Sequence, residues 1–361
     1  MSKFHTVKIT EVKKETPDCV SVLFEIPENI KSEFVFTAGQ HVIVRKQIKD
    51  EDMRRTYSFC SAPNTNEFRI AVRKIDDGMF STFVNEDLKA GDELDISAPM
   101  GEFTLKTSPT HAANYVAFAA GSGITPIMSM IKDVLACEPK SRFFLYYGNR
   151  DAEHTIFAED IAALKNQYME RFSYQYFMTR QAVDIPFFNG RINAEKTTTL
   201  HKQVFAPLGT NGGIAGYYLC GPLSMVEDVR TALTAAGEPE SNIHSELFFA
   251  SAEDAEKTGT AKKPVDGLAK STIKVISDGR EINVDYRDEH GSILDATLKS
   301  GIDVSFACKG GVCATCRAKV IDGEVDMALN YGLEPEEIAD GFVLTCQSVP
   351  LSKKVTISFD E

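Results

Sequence analysis

The first third of the chain alternates between apolar and polar residues in short runs that glycine or proline separates. The clearest runs are 20–26, 41–44, 68–73 and 93–96. Alternation with a period of two turns one face of a strand inward, and several short strands at this spacing are typical of a small antiparallel barrel or sandwich. We therefore predict an antiparallel β-barrel over residues 1–110.

A second pattern begins near residue 114, where continuous apolar runs alternate with segments of helical periodicity. Strands of a parallel sheet are buried on both faces and therefore need apolar residues throughout. The apolar runs are 115–120, 143–147, 174–178, 217–220 and 243–248. The helical segments are 127–135, 157–168 and 223–235. This alternation predicts a doubly wound α/β domain over residues 111–250.

Residues 251–270 contain almost no large apolar side chain and are rich in Ala, Lys, Glu, Asp, Gly and Thr. Such a segment cannot build a core, so we expect a flexible linker. At about 5–6 Å times the square root of its length, it would reach roughly 25 Å. An alternating hairpin around Asp278-Gly279, a helix over 293–299 and a cysteine-rich loop follow. Residues 271–361 thus form a third module.

Charge and hydrophobicity narrow the class of protein. No apolar run is long enough to span a membrane, and no apolar stretch resembling a secretory signal follows Lys3, so we expect a cytoplasmic protein. The net charge of −13 argues against nucleic acid as a partner. Residues 271–361 carry nine Lys and Arg against sixteen Asp and Glu, a balance of −7. We expect this acidic module to dock on a basic surface.

Four of the eight cysteines are clustered, at Cys308, Cys313, Cys316 and Cys346. The C-x4-C-x2-C spacing followed by a distant fourth cysteine matches that of plant-type [2Fe–2S] clusters. Two glycines in the loop would let backbone amides approach the anionic sulfurs. A zinc site or free thiols are the alternatives, although zinc sites usually show two close cysteine pairs.

A flavin site is indicated at the end of a barrel strand, where Arg55-Thr56-Tyr57-Ser58 offers a cation, an aromatic face and a hydroxyl group. These groups suit a pyrophosphate, a flavin ring and a ring nitrogen. Downstream, Gly78-Met79-Phe80-Ser81 can open a helix whose amides meet a phosphate. Val72 and Arg73 lie between the two motifs, and Arg73 adds positive charge. Each motif alone also fits an ordinary surface strand or helix start, but together they favour FAD.

A dinucleotide site is indicated by Gly121-Ser122-Gly123-Ile124-Thr125-Pro126, which follows the first strand of the α/β domain. Its glycines would let the backbone approach a phosphate, although proline replaces the last glycine of the G-x-G-x-x-G pattern. We expect Thr125 to cap the next helix and Pro126 to be its first residue. Cys220-Gly221-Pro222 repeats the arrangement at a later strand end. There Cys220 would face a nicotinamide, or is simply a small buried residue.

Two arginines bear on the choice of nucleotide. Arg150 and Arg180 each follow a predicted strand. Either guanidinium could bind the 2′-phosphate of NADPH, and either could instead be a solvated loop residue. We therefore expect NADPH, rather than NADH, to be the donor.

These motifs in this order resemble the ferredoxin–NADP reductase superfamily with a C-terminal plant-type ferredoxin. The resemblance covers essentially the whole chain. It is carried by Arg55-x-Tyr57-Ser58, the 121–126 turn, Tyr147-Gly148-Asn149-Arg150, Cys220-Gly221-Pro222 and the four clustered cysteines. It implies a multi-domain chain whose third module has the α+β (β-grasp) fold, with those cysteines as the ligands of a [2Fe–2S] cluster.

The resemblance also implies residue roles. Arg55 would hold the FAD pyrophosphate, Tyr57 would stack on the flavin, and Ser58 would bond near its N5. Ser81 would touch the pyrophosphate, and Glu246 would lie near the flavin and the nicotinamide. Some members have Ser-Arg where this chain has Thr179-Arg180, which leaves the 2′-phosphate assignment open.

More narrowly, the chain resembles the reductase subunits of phenylacetyl-CoA epoxygenase complexes, in the Lys-Gly-Gly-Val filling of the cysteine loop, in Asn330-Tyr331 and in Leu333-Glu334-Pro335. This resemblance implies an NAD(P)H oxidoreductase that passes single electrons to an oxygenase of aromatic degradation, such as the di-iron phenylacetyl-CoA epoxidase. A Rieske or another di-iron hydroxylase is the alternative acceptor. Two other hypotheses are an electron carrier whose flavin domain is only a relay, and a zinc-dependent scaffold.

Overall fold

The computed structural model of the chain describes residues 3–49, 51–209, 213–248 and 270–361. The predicted linker lies outside the described residues except for Lys270, which begins a strand. The chain divides into two compact units. One consists of His5–Glu51 and Tyr57–Phe249, and the other of Met1–Phe4, Asp52–Thr56 and Ala250–Glu361. Every helix among the described residues is too short or too polar to cross a membrane.

The N-terminal strands are β1 (Phe4–Thr16), β2 (Cys19–Glu25), β3 (His41–Ile48), β4 (Glu51–Ser58), β5 (Phe68–Arg73) and β6 (Glu93–Ser97), and helix α1 (Met79–Glu86) lies between β5 and β6. The strands form one sheet in the order β4-β3-β6-β1-β2-β5. An antiparallel bridge between Phe59 and Ile70 brings the end of β4 to β5. The predicted antiparallel barrel is therefore confirmed.

The central strands are β7 (Asn114–Ala120), β8 (Arg142–Asn149), β9 (Phe172–Met178), β10 (Ile214–Gly221) and β11 (Ile243–Leu247). The helices are α2 (Ile124–Cys137), α3 (Ala158–Gln167), α4 (Ala194–Leu200), α5 (Ala206–Gly209) and α6 (Leu223–Ala235). The strands are parallel and ordered β11-β10-β7-β8-β9. Tyr218 and Cys220 point into one core and Tyr217 and Leu219 into another, so both faces of the sheet are covered. The doubly wound domain is confirmed.

The start of α2 differs from the prediction. Gly121–Gly123 form a single 3₁₀ turn, and the helix begins at Ile124 with Gly123 as its N-cap. Thr125 is the second helical residue, and its hydroxyl donates to the Ser122 carbonyl at 3.1 Å instead of capping the helix. The predicted capping role of Thr125 and the predicted place of Pro126 as first helical residue are therefore wrong. Gly121 has a φ of +53°, which turns the chain at once and starts the helix earlier.

The C-terminal strands are β12 (Lys270–Ser277), β13 (Arg280–Arg287), β14 (Arg317–Asp322), β15 (Val325–Met327), β16 (Phe342–Leu344), β17 (Ser348–Pro350) and β18 (Lys354–Ser358). The helices are α7 (Ile293–Lys299) and α8 (Pro335–Ala339). The main sheet is ordered β13-β12-β18-β14-β16, with β12 and β18 parallel. Apolar residues of α7 share a core with this sheet, and Ser292 caps the helix. This arrangement is the β-grasp fold that the resemblance implied.

Candidate redox cofactor sites

The two predicted nucleotide motifs meet at the carboxyl edge of the parallel sheet. The glycine turn 121–123 follows β7, and Cys220 is the second-last residue of the neighbouring strand β10, where its Cα pairs with that of Ala119. A Cβ on Gly123 would lie 2.3 Å from the Cys220 carbonyl oxygen. Only glycine therefore permits this approach. In open α/β sheets, ligands bind at the carboxyl edge. Both motifs contribute to that edge here.

Cys220 is completely buried in the core that also contains α2. Burial, assisted by the nearby Glu246 carboxylate, raises the pKa of the Cys220 thiol well above its usual value. The thiol is therefore protonated at neutral pH and is not a nucleophile. The structure agrees with the interpretation of Cys220 as a small buried residue, at a position next to the proposed nicotinamide site.

Glu246 pairs with Cys220 across β10 and β11 and reaches a histidine of the barrel. Its Oε1 lies 3.5 Å from Nδ1 of His41, which is mostly buried. Glu246 Oε2 and His41 Nε2 are buried without a hydrogen-bond partner among the described residues. Buried polar atoms normally find partners, so these two suit a polar ligand at this edge. No sequence pattern had singled out His41.

The two motifs predicted to bind FAD have surroundings that suit a flavin ring and a phosphate group. Along β4, Arg55 is exposed, Tyr57 is half-buried and Ser58 is buried. The Tyr57 ring stacks near that of Phe80, with centroids 5.9 Å apart. The hydroxyl of Ser81 accepts from the Ile75 amide at 3.2 Å and donates to the Gly78 carbonyl at 3.1 Å. Ser81 thus fixes the turn before α1, whose first-turn amides have no side-chain cap and can meet an anion.

The side chains of the two arginines that were predicted to bind the 2′-phosphate have different surroundings. Their backbones are hydrogen-bonded, since the Arg180 amide donates to the Arg150 carbonyl at 2.7 Å. The Arg180 side chain is exposed, whereas Arg150 turns to Asp18 in the barrel at 2.7 Å. Asp18 also accepts from Arg73 at 2.9 Å. Sequence reasoning missed Asp18 because its partners are far along the chain.

The four clustered cysteines form two pairs. In the first pair, the Cys313 amide donates to the Cys308 sulfur at 3.4 Å, and the Gly310 amide donates to the same sulfur at 3.3 Å. Hydrogen bonds from the Cys313 thiol and from backbone amides lower the pKa of Cys308 to about 5. Amides directed at sulfur stabilise the thiolate that iron requires.

Cys316 and Cys346 form the second pair, and their hydrogen bond lowers the pKa of Cys316. The Thr345 hydroxyl donates to the Cys316 carbonyl at 2.9 Å and ties the loop to the distant cysteine. Two sulfur pairs fit a centre with two iron atoms. Among the described residues, no three His, Cys, Asp or Glu side chains gather around a position suited to one metal ion.

The backbone of the cysteine loop is unusual in its conformation. Lys309 and Ala314 both have a φ of +51°, a region that side chains rarely adopt. Such strain persists only where the surroundings hold it, and it is frequent at functional sites. Gly332 packs over the loop, since a Cβ there would lie 2.5 Å from the Val312 carbonyl oxygen. The Asn330–Leu333 stretch, noted before only through the resemblance, thus supports the loop.

A buried arginine holds the segment that leads into this loop. Arg54 belongs to the same compact unit as the β-grasp domain and is only 5% exposed. It pairs with Asp52 at 2.8 Å and with Asp303 at 3.1 Å. Its guanidinium lies 4.3 Å from the ring centroid of Phe306, two residues before Cys308. No sequence motif pointed to Arg54, because Asp303 is 249 residues away.

A barrel with a flavin-type motif, a dinucleotide sheet and a β-grasp domain with paired cysteines together define a modular flavin and iron–sulfur oxidoreductase. Family models agree with each part. An oxidoreductase FAD-binding domain matches residues 6–105, an oxidoreductase NAD-binding domain matches 118–231, and a 2Fe-2S iron–sulfur cluster binding domain matches 275–351. The predictions of FAD, a pyridine nucleotide and [2Fe–2S] are thereby confirmed.

The chain is 36% identical over 360 residues to a subunit of the 1,2-phenylacetyl-CoA epoxidase of Escherichia coli (strain K12), covering 100% of this chain and 99% of that protein. It is 28% identical to the ferredoxin reductase component of 3-ketosteroid-9-alpha-monooxygenase from Rhodococcus rhodochrous, covering 97% and 95%. Its fold is similar to that of phthalate dioxygenase reductase, with a TM-score of 0.63, 22% identity and coverage of 99% and 98%. The chain belongs to the family of FAD- and [2Fe–2S]-containing NAD(P)H oxidoreductases that are the reductase components of oxygenase systems.

Proposed function

We propose that this protein takes electrons from NADPH and delivers them to the oxygenase of a phenylacetyl-CoA epoxygenase system. The observation that supports this acceptor is the 36% identity, along the whole chain, to one of the subunits of a phenylacetyl-CoA epoxidase. That identity extends over the cluster module, which is the part expected to meet the oxygenase. The oxygenase of a 3-ketosteroid monooxygenase system is the second candidate, because the ferredoxin reductase component of such a system is also similar over nearly the full length.

The barrel residues would hold FAD. Bound FAD would accept a hydride and release its electrons singly, which couples a two-electron donor to a one-electron cluster. In this proposal Arg55 neutralises the pyrophosphate, Tyr57 covers the flavin ring and Ser58 bonds to a ring nitrogen. The exposed, half-buried and buried states of these three residues agree with such roles. The remaining FAD contacts in the proposal are Thr56, Val72, Arg73, Gly78, Phe80 and Ser81.

The carboxyl edge of the sheet would hold the nucleotide beside the flavin. The 121–126 turn and Cys220-Gly221-Pro222 would approach the nucleotide through backbone alone, since Gly123 leaves no room for a side chain. The buried Cys220 thiol would exclude water from the reacting edge. Glu246 would orient the nicotinamide or flavin through its unpartnered oxygen. The clustered cysteines 308, 313, 316 and 346 would hold the [2Fe–2S] centre.

Arg180 would distinguish NADPH from NADH, because its exposed guanidinium stands at the end of β9. A hydrogen bond to a charged group contributes about 1.5–3 kcal/mol, which corresponds to about 10- to 150-fold in binding. Arg180→Ala should therefore raise KM for NADPH at least about 10-fold and leave KM for NADH nearly unchanged. Equal losses with the two nucleotides would exclude this role.

The acceptor is tested by reconstitution. The purified reductase and NADPH are combined with the oxygenase components of a phenylacetyl-CoA epoxidase, and epoxide formation is measured. The oxygenase component of a 3-ketosteroid monooxygenase serves as the parallel acceptor. Turnover with the first and little with the second is expected. Efficient turnover of the ketosteroid enzyme alone would replace the proposed acceptor with an oxygenase of that kind, and ferricyanide reduction by NADPH reports that the flavin is active in either case.

A further inference from the structure

Asp18 joins two arginines from different parts of the flavin and nucleotide unit. It lies in the turn between β1 and β2, and its Oδ1 accepts from the Thr16 hydroxyl at 2.9 Å. Its Oδ2 accepts from Nε of Arg73 at 2.9 Å and from Nη2 of Arg150 at 2.7 Å. The side chains of Asp18, Arg73 and Arg150 are 22%, 28% and 33% exposed, respectively. One carboxylate oxygen thus orients both guanidinium groups.

Arg73 lies over the glycine turn of the nucleotide motif, and Asp18 holds Arg150 beside it. Nη1 of Arg73 lies 3.2 Å from the position that a Cβ on Gly121 would occupy. Tyr147 donates from its hydroxyl to the Gly121 carbonyl at 2.9 Å, which holds the other side of this turn. Arg150 follows the end of β8, whose Gly148 pairs with Ala120 just before the turn. The guanidinium groups are therefore held where backbone amides and a phosphate would meet.

This cluster still has donors to offer. Nε of Arg150 is buried without a hydrogen-bond partner among the described residues. Two guanidinium groups and one carboxylate leave a net charge of +1. Burial of Asp18 is outweighed by its bonds to Thr16 and the two arginines, so its pKa is lowered and the carboxylate is ionised at neutral pH. An anion is the ligand that such a cluster accepts.

We propose that Asp18 is a specificity-determining residue, which holds Arg150 beside Arg73 at the glycine turn. There Arg150 serves the pyrophosphate that NADH and NADPH share, and the 2′-phosphate is left to Arg180. The inference rests on the proposed nucleotide site at this sheet edge. Without the charge of Asp18, Arg150 is released at the end of β8, beside Arg180, and can reach a 2′-phosphate. Asp18 thus limits the preference for NADPH.

The test measures dissociation constants of NADP⁺ and NAD⁺ with the FAD-loaded full chain by titration calorimetry. Asp18→Asn keeps the size of the side chain and removes its charge. The ratio of the NAD⁺ to the NADP⁺ constant should rise at least about fivefold, within the range for one charged hydrogen bond. Asp87→Asn, at an exposed position of the barrel, is the matched control and should leave the ratio unchanged.

Arg150→Ala supplies the independent arm, because it tests the same idea with Asp18 intact. It should weaken NAD⁺ and NADP⁺ by the same factor, and the Asp18→Asn/Arg150→Ala double variant should show no rise in the ratio. An unchanged or lower ratio in Asp18→Asn overturns the inference, as does a loss of NADP⁺ binding alone in Arg150→Ala. The Arg180→Ala result reports separately on the proposed donor, so the two failures are distinguishable.

Discussion

Cys346 is the single residue on which the cluster assignment depends most clearly. It lies 30 residues beyond Cys316 in the sequence and meets it only through the fold. Cys346→Ser should remove or disable the [2Fe–2S] centre while FAD stays bound, because the two compact units have separate cores. NADPH should still reduce the flavin, and electron delivery to a one-electron protein acceptor should stop. Electron paramagnetic resonance of the reduced protein and its visible spectrum provide the measurement.

Cys137→Ser is the matched control for that change. Cys137 is a partly exposed thiol at the end of α2, in the other compact unit. Its replacement should leave both the cluster signal and the flavin spectrum unaltered. An unchanged cluster signal in Cys346→Ser would refute the ligand assignment.

At the scale of elements, the junction of β7, α2 and β10 depends on Gly123, which has no side chain. Gly123→Ala would place a Cβ 2.3 Å from the Cys220 carbonyl oxygen, and a backbone atom cannot move aside cheaply. We expect the strand ends to separate and NADP⁺ binding to weaken by about 10-fold or more, in the range of a lost charged hydrogen bond. Equilibrium titration with NADP⁺ measures the loss.

Gly148→Ala provides the comparison in the neighbouring strand β8. A Cβ there meets nothing closer than 3.5 Å, which is ordinary van der Waals contact. This variant should bind NADP⁺ normally. Similar affinities for the two variants would show that the close approach at Gly123 does not shape the nucleotide site.

Asp95 links three strands of the barrel. It accepts from the Thr6 hydroxyl of β1 at 2.6 Å and from Arg45 of β3 at 2.9 Å. These bonds outweigh burial and lower the pKa of Asp95 below its ordinary value of 3.8. A lowered folded-state pKa means that the stabilisation is complete above the unfolded pKa and is lost as pH falls through the folded value. The link should therefore act at neutral pH and disappear in acid.

Asp95→Asn should lower the free energy of unfolding at pH 7 by about 1 kcal/mol, a value reduced for partial solvent exposure. The difference from the parent protein should shrink below about pH 4, the ordinary range for this carboxyl. Urea-induced release of FAD, followed by flavin fluorescence at both pH values, measures it. Asp87→Asn should match the parent throughout. A deficit that persists at low pH would mean that packing, and not charge, explains the effect.

At the scale of the whole molecule, the acidic cluster module predicts a salt-dependent encounter with the oxygenase. Its side chains carry −7, and an oxidised cluster with four thiolates adds about −2. Electrostatic steering of the acidic module towards the oxygenase weakens as the Debye length falls from about 10 Å at 0.1 M salt to about 3 Å at 1 M. The oxygenase-coupled rate should fall with salt, whereas hydride transfer to FAD should remain nearly constant.

Stopped-flow recording of both steps across the same salt series separates them. Flavin reduction is the internal control, because it requires only the bound nucleotide. A coupled rate that is indifferent to salt would leave the negative surface with no docking role. Solubility would then be a sufficient reason for the charge.

The sequence alone predicted the elements whose signals are local. Strand β5 and helices α6 and α7 have the bounds expected from their periodicity, because the side chains that bury each element lie within it. The cysteine spacing likewise predicted the cluster type. The start of α2 was wrong, since the expected cap at Thr125 lost to a glycine turn that began the helix earlier.

Only the tertiary structure decided which distant side chains meet. Asp18 and Arg150 are 132 residues apart, and Arg54 and Asp303 are 249 apart. Periodicity and spacing carry no information on such pairs, because each partner alone resembles an ordinary surface charge. The motifs and their order along the chain were sufficient to predict the cofactors. The folding of the strands then determined which arginine faces outward, which one Asp18 holds, and which carboxylate lies beside Cys220.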